Sequence, residues 1–395
     1  MKVLCCLLSD QHVPNLLSIH HFQPDRLVLI ESERMRRRNA AQNFLDALKC
    51  GKLDYTERCD VVPHGDVSDF ASIAESLRNA FGKHPTGDWI VNLTGGTKPM
   101  SIVAYEFFKA VGARLIYIDA EKPNRILDVE TNTTEIVDHR LSIEEFLRGY
   151  GFEQHKDPEK ILRSEERARK WFPVALAIAL TSPGTALLKV DAHRRSKGRK
   201  QGLELRPGDL PVSDLHLGNT LWRTFNLKVE GTNLTGRLDR YGVQFLTGGW
   251  LEVLLWGLLD RHKDRIGIWD VRLGIVPAAK GSKAENDFDV AFMREYALHM
   301  IECKTGSQEH DPDVAALYKI EAITRQFRAL RVRSFLATTS TNLLDPGGNI
   351  KPSVRDRASL YNCRFLTTPD IQKLAGAPDD HELLQRLLFG KPGNV

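Results

Sequence analysis

Apolar and polar positions alternate along the chain with two different periods, and the changes of period mark out its elements. In the first part, short apolar runs, Val3 to Leu8, Arg26 to Ile30, Cys59 to Val62, Trp89 to Leu93 and Leu115 to Asp119, take turns with stretches of helical spacing. The clearest of those is Asp69 to Phe81, where Phe70, Ile73, Leu77 and Phe81 recur on one helix face. Strand and helix taking turns predicts a parallel sheet covered by helices on both faces. Arg125 to Val129 with Thr134 to Val137 predicts a closing hairpin, a helix starts at Ser142, and a domain boundary follows near Gly151.

The pattern weakens from about 155 to 230. Glu159 to Leu180 predicts a helix kinked at Pro173, Ala192 to Lys200 (AHRRSKGRK) a dense basic loop, and Pro207 to Asp214 a turn-rich continuation. From Leu238 the chain becomes strongly apolar again, with a turn at Gly248-Gly249 and then a helix whose Leu251, Val253, Leu254, Leu255, Leu258 and Leu259 leave almost no polar face. Two strands follow within residues 286 to 304, and their connection of roughly ten residues suits a hairpin-like pair. An amphipathic helix over Val314 to Leu330, a strand over Arg333 to Thr338, a helix over Arg355 to Tyr361, a strand over Arg364 to Thr367 and two terminal helices complete a mixed sheet flanked by helices.

At 395 residues the chain is long enough for two or three domains, and 42% hydrophobic with 27% charged residues is ordinary for a soluble protein. The net charge of +4 leaves nucleic-acid binding to local basic clusters. The six cysteines form no CxxC pair or zinc-like cluster, so reduced thiols in a cytoplasmic protein are expected. The N-terminus is too quickly polar for a signal peptide, and the longest apolar stretch, Phe172 to Leu180, is broken by Pro173 and falls short of the ~20 residues of a membrane span, so no membrane is expected.

The chemistry concentrates on the two late strands. Period-two alternation puts Asp287 and Asp289 on one face of the first, and Glu302 and Lys304 together on the second, while Ile301 and Cys303 turn into an apolar layer. Buried acids need a compensating cation. Asp289 and Glu302 would hold Mg²⁺ or Mn²⁺, and Lys304 would orient or deprotonate a water attacking a phosphodiester. The competing reading is a solvated Glu/Lys face, against which Met300, Ile301 and Cys303 argue. Glu252, in the first turn of a leucine-rich helix, is a candidate third carboxylate; the alternative is an acid favoured by the helix dipole. In the first half, strand, glycine turn and helix start at Thr94-Gly95-Gly96-Thr97-Lys98 read as an anion site or as a tight βα turn that merely needs glycine, and the polar loop Ser9, Asp10, Gln11 at the same sheet edge favours the anion site. Its spacing is neither a P-loop nor GxGxxG. The run ESERMRRR reads as a solvated helix face in preference to a phosphate-contacting patch, and AHRRSKGRK as either a mobile loop or a phosphate-binding arm.

Taken together, GGWLE (248 to 252), NDFDV (286 to 290) and IECKTG (301 to 306) resemble the restriction-endonuclease-like PD-(D/E)xK nuclease domain. LTGGTKPM (93 to 100) on an N-terminal Rossmann-like domain resembles the CRISPR-associated Rossmann fold, CARF. The pairing is similar to the CRISPR ancillary nucleases of type III systems. The resemblance implies an α/β chain with a CARF ligand-sensing domain over 1–150, a connector over 151–230 for which a winged-helix-like fold stays open, and a nuclease domain over 231–395. It further implies a homodimer that binds cyclic tetra-adenylate between its CARF domains and then cuts RNA or DNA with Mn²⁺ or Mg²⁺. Glu252, Asp289 and Glu302 would be metal ligands and Lys304 the catalytic lysine. Many members have Glu at the position of Asp287. Ser9 to Gln11 and Thr94 to Lys98 would contact the cyclic nucleotide. Two other readings stay open: a ligand-responsive DNA-binding regulator, and a constitutive repair or restriction nuclease.

Overall fold

Strands that are apolar on every position must be covered on both faces, and the N-terminal runs are. The computed structural model describes residues 1–65, 68–119, 122–184, 186–282, 287–305, 332–340, 343–345, 349–360 and 363–390. Its first sheet contains β1 (Lys2–Leu7), β2 (Arg26–Ser32), β3 (Cys59–His64), β4 (Asp88–Asn92), β5 (Arg114–Ile118), β6 (Arg125–Asp128) and β7 (Thr134–Ile136), in the order β3-β2-β1-β4-β5-β6-β7. The first five are parallel, and β6 and β7 form the expected hairpin at the edge. Around the sheet run α1 (Val13–Phe22), α2 (Glu33–Arg36), α3 (Ala40–Cys50), α4 (Phe70–Gly82), α5 (Lys98–Ala110) and α6 (Ile143–Gly149). Within β1, Val3, Cys5 and Leu7 join one core with Ile73, Leu77 and Phe108. Leu4 and Cys6 join another with Leu16, Phe44 and Phe146. The strand order reverses between β1 and β4, which is where open α/β sheets leave a crevice beyond the carboxyl ends of their strands.

The weakly patterned stretch is tied into the second half. After β8 (Phe152–Gln154) come α7 (Pro158–Thr181, one helix with Pro173 inside), α8 (Ala192–Gln201), β9 (Leu203–Leu205), α9 (Leu215–Phe225), β10 (Lys228–Glu230) and β11 (Asn233–Leu238). A helix followed by the β10–β11 hairpin is the arrangement of a winged helix, but Ala168, Ile178, Leu221 and Leu238 share one core with Leu254, Trp256 and Phe292. The basic segment expected as a loop is the helix α8. Asp191 caps it by accepting from Arg194 N at 2.8 Å, and its buried Gly198 lets it settle on Leu203 and Val243.

The turn expected at Gly248-Gly249 takes the form of a kink between two helices, with non-helical backbone at Gly248. α10 (Arg240–Gln244) runs through a wide π-type turn at Phe245–Gly249 into α11 (Trp250–His262), with Gly248 at φ 148° absorbing the irregularity. The resulting run Arg240–His262 is long and apolar enough to cross a membrane, contrary to the sequence expectation, yet 67% of its most apolar window is buried inside the protein as a core helix would be.

The second sheet has β12 (Ile268–Ile275), β14 (Phe288–Arg294), β15 (Ala297–Lys304), β16 (Val332–Thr338) and β17 (Cys363–Leu366) in that order, antiparallel then parallel, while β13 (Pro277–Ala279) pairs with β8. Three further helices, α12 (Pro352–Leu360), α13 (Thr368–Gly376) and α14 (His381–Phe389), close the chain. The helix expected over Val314 to Leu330 lies outside the described residues. One face of β14 and β15 (Phe292, Ile301, Cys303) packs toward α7 and α11, and the other (Met293, Leu298, Met300) belongs to the core of the N-terminal domain. Hydrogen bonds bind the two halves as well: Trp269 Nε1 donates to Leu141 O at 2.7 Å, and Ile143 N donates to Asp270 at 2.6 Å.

Candidate active site and sensor loops

β14 and β15 meet through a two-residue turn, Glu295-Tyr296, with φ of 50° and 57°, rather than a long connection. Their far ends, where Asp289 and Lys304 sit, therefore stay in register beside the start of α11. Asp289 closes the pair by accepting a hydrogen bond from Cys303 N at 2.6 Å. Glu302 is buried, and Lys304 Nζ lies 2.9 Å from its Oε1. Glu252, Asp289 and Lys304 line a cleft of about 550 Å³, and Glu302 reaches it through its contact with Lys304. Asp287 is exposed just outside the strand.

Burial first, then the negative charges of Asp289, Asp287 and Glu302, push the Glu252 carboxyl up to about 8, and Lys156 opposes the rise. A cation would relieve that crowding, and an all-oxygen donor set fits a hard divalent ion. Among the described residues, the ligand atoms of these acids do not close into a group within 4.8 Å of one another. This still fits Mg²⁺-type binding, which takes one or two carboxylates and completes its shell with water and phosphate oxygens.

At the first sheet's crevice, a Cβ on Gly95 would sit 2.0 Å from Leu7 O, so only glycine lets the β4 loop lie against the end of β1. Gly96 takes φ +75°, and Thr97 caps α5 by accepting from Met100 N at 3.4 Å. Thr94 Oγ1 accepts from Ile118 N at 2.7 Å, which ties the loop to the neighbouring strand. Lys98 is exposed at the helix start. Across the crevice, Gln11 N donates to Ser9 Oγ at 3.2 Å, and Asp10 pairs with Arg34 at 2.6 Å and with Arg38.

Arg34, Arg38 and Asn92 were not singled out by the sequence, and Arg199 only within a basic run read as a loop or a phosphate-binding arm. Arg34 and Arg38, within the run expected as a solvated face, turn onto Asp10, while Arg37 pairs with Glu33 in solvent as expected. Asn92, fully buried, donates to Asn15 Oδ1 at 3.0 Å and accepts from Thr94 N at 3.0 Å, forming a polar underlay for both loops. An asparagine inside an otherwise apolar strand was the available signal. Arg199, from the basic run, lines the acidic cleft.

Comparison with known proteins finds a match in each half of the chain. A sequence model of the Card1 CARF domain matches residues 3–146, and one of the Card1-like endonuclease domain matches residues 239–357. Among solved structures, Can2 from Sulfobacillus thermosulfidooxidans in complex with cyclic tetra-adenylate is similar at TM-score 0.67 and 19% identity, over 98% of this chain and 99% of that one. Protein VC1899 from Vibrio cholerae gives TM-score 0.73 at 17% identity, over 100% and 99%. A type III CRISPR defence DNA nuclease activated by cyclic oligoadenylate gives 0.52 at 14%, over 91% of this chain and 51% of its own. No curated protein sequence matches.

Proposed function

Since the chain belongs to the CRISPR ancillary nucleases of type III systems, a CARF domain joined to an endonuclease domain, we propose that it is switched on by cyclic tetra-adenylate and cuts nucleic acid with Mn²⁺ or Mg²⁺. The observation that carries the reading is the crowding of Glu252 by Asp289 and Glu302 in a cleft that also presents Lys304. Glu252, Asp289 and Glu302 would hold the ion. The chemistry such an ion supplies is polarisation of the phosphoryl oxygen and activation of water. Lys304, paired with Glu302, orients the attacking water and offsets charge building on the phosphate.

The activator enters at the β1 and β4 loops. Gly95, Gly96 and Thr97 shape a turn whose backbone N–H groups and helix start favour anions, and Lys98 adds a full charge. Ser9, Asp10 and Gln11 face it from β1. Can2, which is similar over nearly its whole length, is seen with cyclic tetra-adenylate. A ligand with two-fold symmetry calls for an isologous homodimer, each protomer offering one such crevice. The hydrogen bonds from Trp269 to Leu141 and from Ile143 to Asp270 give the sensor a direct grip on the nuclease sheet. Ligand binding then acts by favouring one arrangement of the two domains.

The test is cleavage of supercoiled plasmid, single-stranded DNA and single-stranded RNA by the purified protein with activator and either metal. Cleavage that disappears with chelator and in Glu302→Ala and Lys304→Ala is expected. Full cleavage by either variant refutes the site.

A further inference from the structure

A cleft lined by carboxylates repels a polyanion, so the surface around it must supply the opposite charge before a nucleic acid can settle there. Helix α8 is placed to do so. Its ten residues, AHRRSKGRKQ, carry five Lys and Arg and no acid. Gly198 marks which side faces in, because its Cβ position lies a tight 3.3 Å from both Leu203 and Val243. Arg194 is committed elsewhere, held by both oxygens of Asp209 at 2.8 and 2.7 Å.

Arg195 and Arg199, one turn apart and so neighbours on the helix surface, border two adjoining hollows. Arg199 lines the acidic cleft with Glu252, Asp289 and Lys304, its Nε donating to Thr247 Oγ1 at 3.0 Å. Arg195 lines a second hollow of about 260 Å³. Thr247, Gly248 and Thr305 are common to both. Among the described residues Arg195 donates to Val190 O at 3.1 Å, and its buried Nε has no hydrogen-bond partner there. Among the described residues neither arginine has an acidic partner. Like charges four residues apart weaken a helix, and a buried donor left without a partner destabilises the fold. A merely solvated basic face would explain the charges but not the buried Nε beside the cleft.

We propose that Arg195 and Arg199 form a phosphate-binding rail that seats the sugar-phosphate backbone of the substrate strand across Thr247 and Gly248, with the acidic cleft at one end. This rests on the nuclease reading above. The contacts are to phosphates, so the rail fixes the path of the strand without reading its sequence.

The test uses the full-length protein carrying Glu302→Ala, with activator and Mg²⁺, and follows the anisotropy of labelled single-stranded DNA, single-stranded RNA and duplex DNA over a salt series. Adding Arg195→Ala and Arg199→Ala lowers the slope of log K against log salt by about 1.4 for single strands or about 1.8 for duplex, the loss expected for two phosphate contacts. Affinity at fixed salt falls roughly tenfold or more. Arg195→Lys with Arg199→Lys restores the slope, which separates lost charge from misfolding. Lys197→Ala, on the opposite flank of Gly198, keeps it. The three probes report which backbone is accepted. An unchanged slope in the double alanine variant, or an equal loss in Lys197→Ala, overturns the rail. Cleavage by the wild type reads the nuclease assignment separately.

Discussion

Replacing Glu252 by Gln should make the metal-free protein more stable while abolishing its activity. With its carboxyl raised from 4.5 to about 8, the folded protein must take up most of a proton at Glu252 on folding at pH 7. Two and a half pH units at 1.36 kcal/mol each set a ceiling of about 3 kcal/mol on the destabilisation, and relaxation of the coupled acids brings it nearer 1–2 kcal/mol. Because the folded value lies above the unfolded one, this loss is absent below about pH 4.5 and grows as pH rises toward 8. Gln keeps the shape and removes the charge. The assay is urea unfolding at pH 5, 7 and 8.5 in chelator, followed through tryptophan fluorescence, since Trp250 and Trp256 share α11 with Glu252. Glu252→Gln should unfold at higher urea at pH 7 and 8.5, coincide with wild type near pH 5, and gain less from added Mn²⁺. A variant with the wild-type pH slope, undiminished metal stabilisation and full cleavage refutes the reasoning.

Lys304→Ala should lower cleavage by roughly 10²-fold or more with little change in substrate binding, as expected for loss of a group acting in proton transfer, and single-turnover rates set beside binding constants check this. Gly95→Ala forces a Cβ to 2.0 Å from Leu7 O and must displace the β4 loop, so calorimetry should show cyclic tetra-adenylate binding weakened at least tenfold, at a stability loss of about 1–3 kcal/mol. His299 is buried between Phe292 and Phe335, and burial holds its imidazole down to about 3. The unfolded chain therefore gains a proton below about pH 6.5 that the folded one refuses, and stability drops by about 1.4 kcal/mol per pH unit from there down toward 3. His299→Phe should lose that part of the pH dependence in denaturation midpoints measured from pH 7 to 4.

The parts of this design that were legible share a local cause. The continuous apolar run Val3 to Leu8 reports a strand covered on both faces, period-two alternation in Ile301 to Lys304 reports strand faces directly, and a glycine pair between strand and helix reports a backbone turn. What stayed hidden depends on tertiary partners. The turn between β14 and β15 is made by Glu295 and Tyr296, residues without the usual preference for positive φ, so nothing local announced it. Gly248-Gly249 does break the helix, but as a kink between α10 and α11 with Gly248 at φ 148°, and how sharply the chain bends there depends on the packing around both helices. Gly198 disguised α8 as a loop, although it is the residue that lets the helix approach Val243. Arg34 and Arg38 could not be told from Arg37 until Asp10 was placed opposite them.

The central claim is that the crevice at β1 and β4 governs the cleft at β14 and β15. It is tested most directly by the initial rate of strand cleavage with Mn²⁺ as a function of added cyclic tetra-adenylate, for the wild type and for Lys98→Ala. The account predicts little cleavage without the ligand, a saturable rise with it, and a curve shifted to much higher ligand concentration in Lys98→Ala with the same final rate. Cleavage by the wild type at full rate without the ligand, or an unshifted curve in Lys98→Ala, would contradict it.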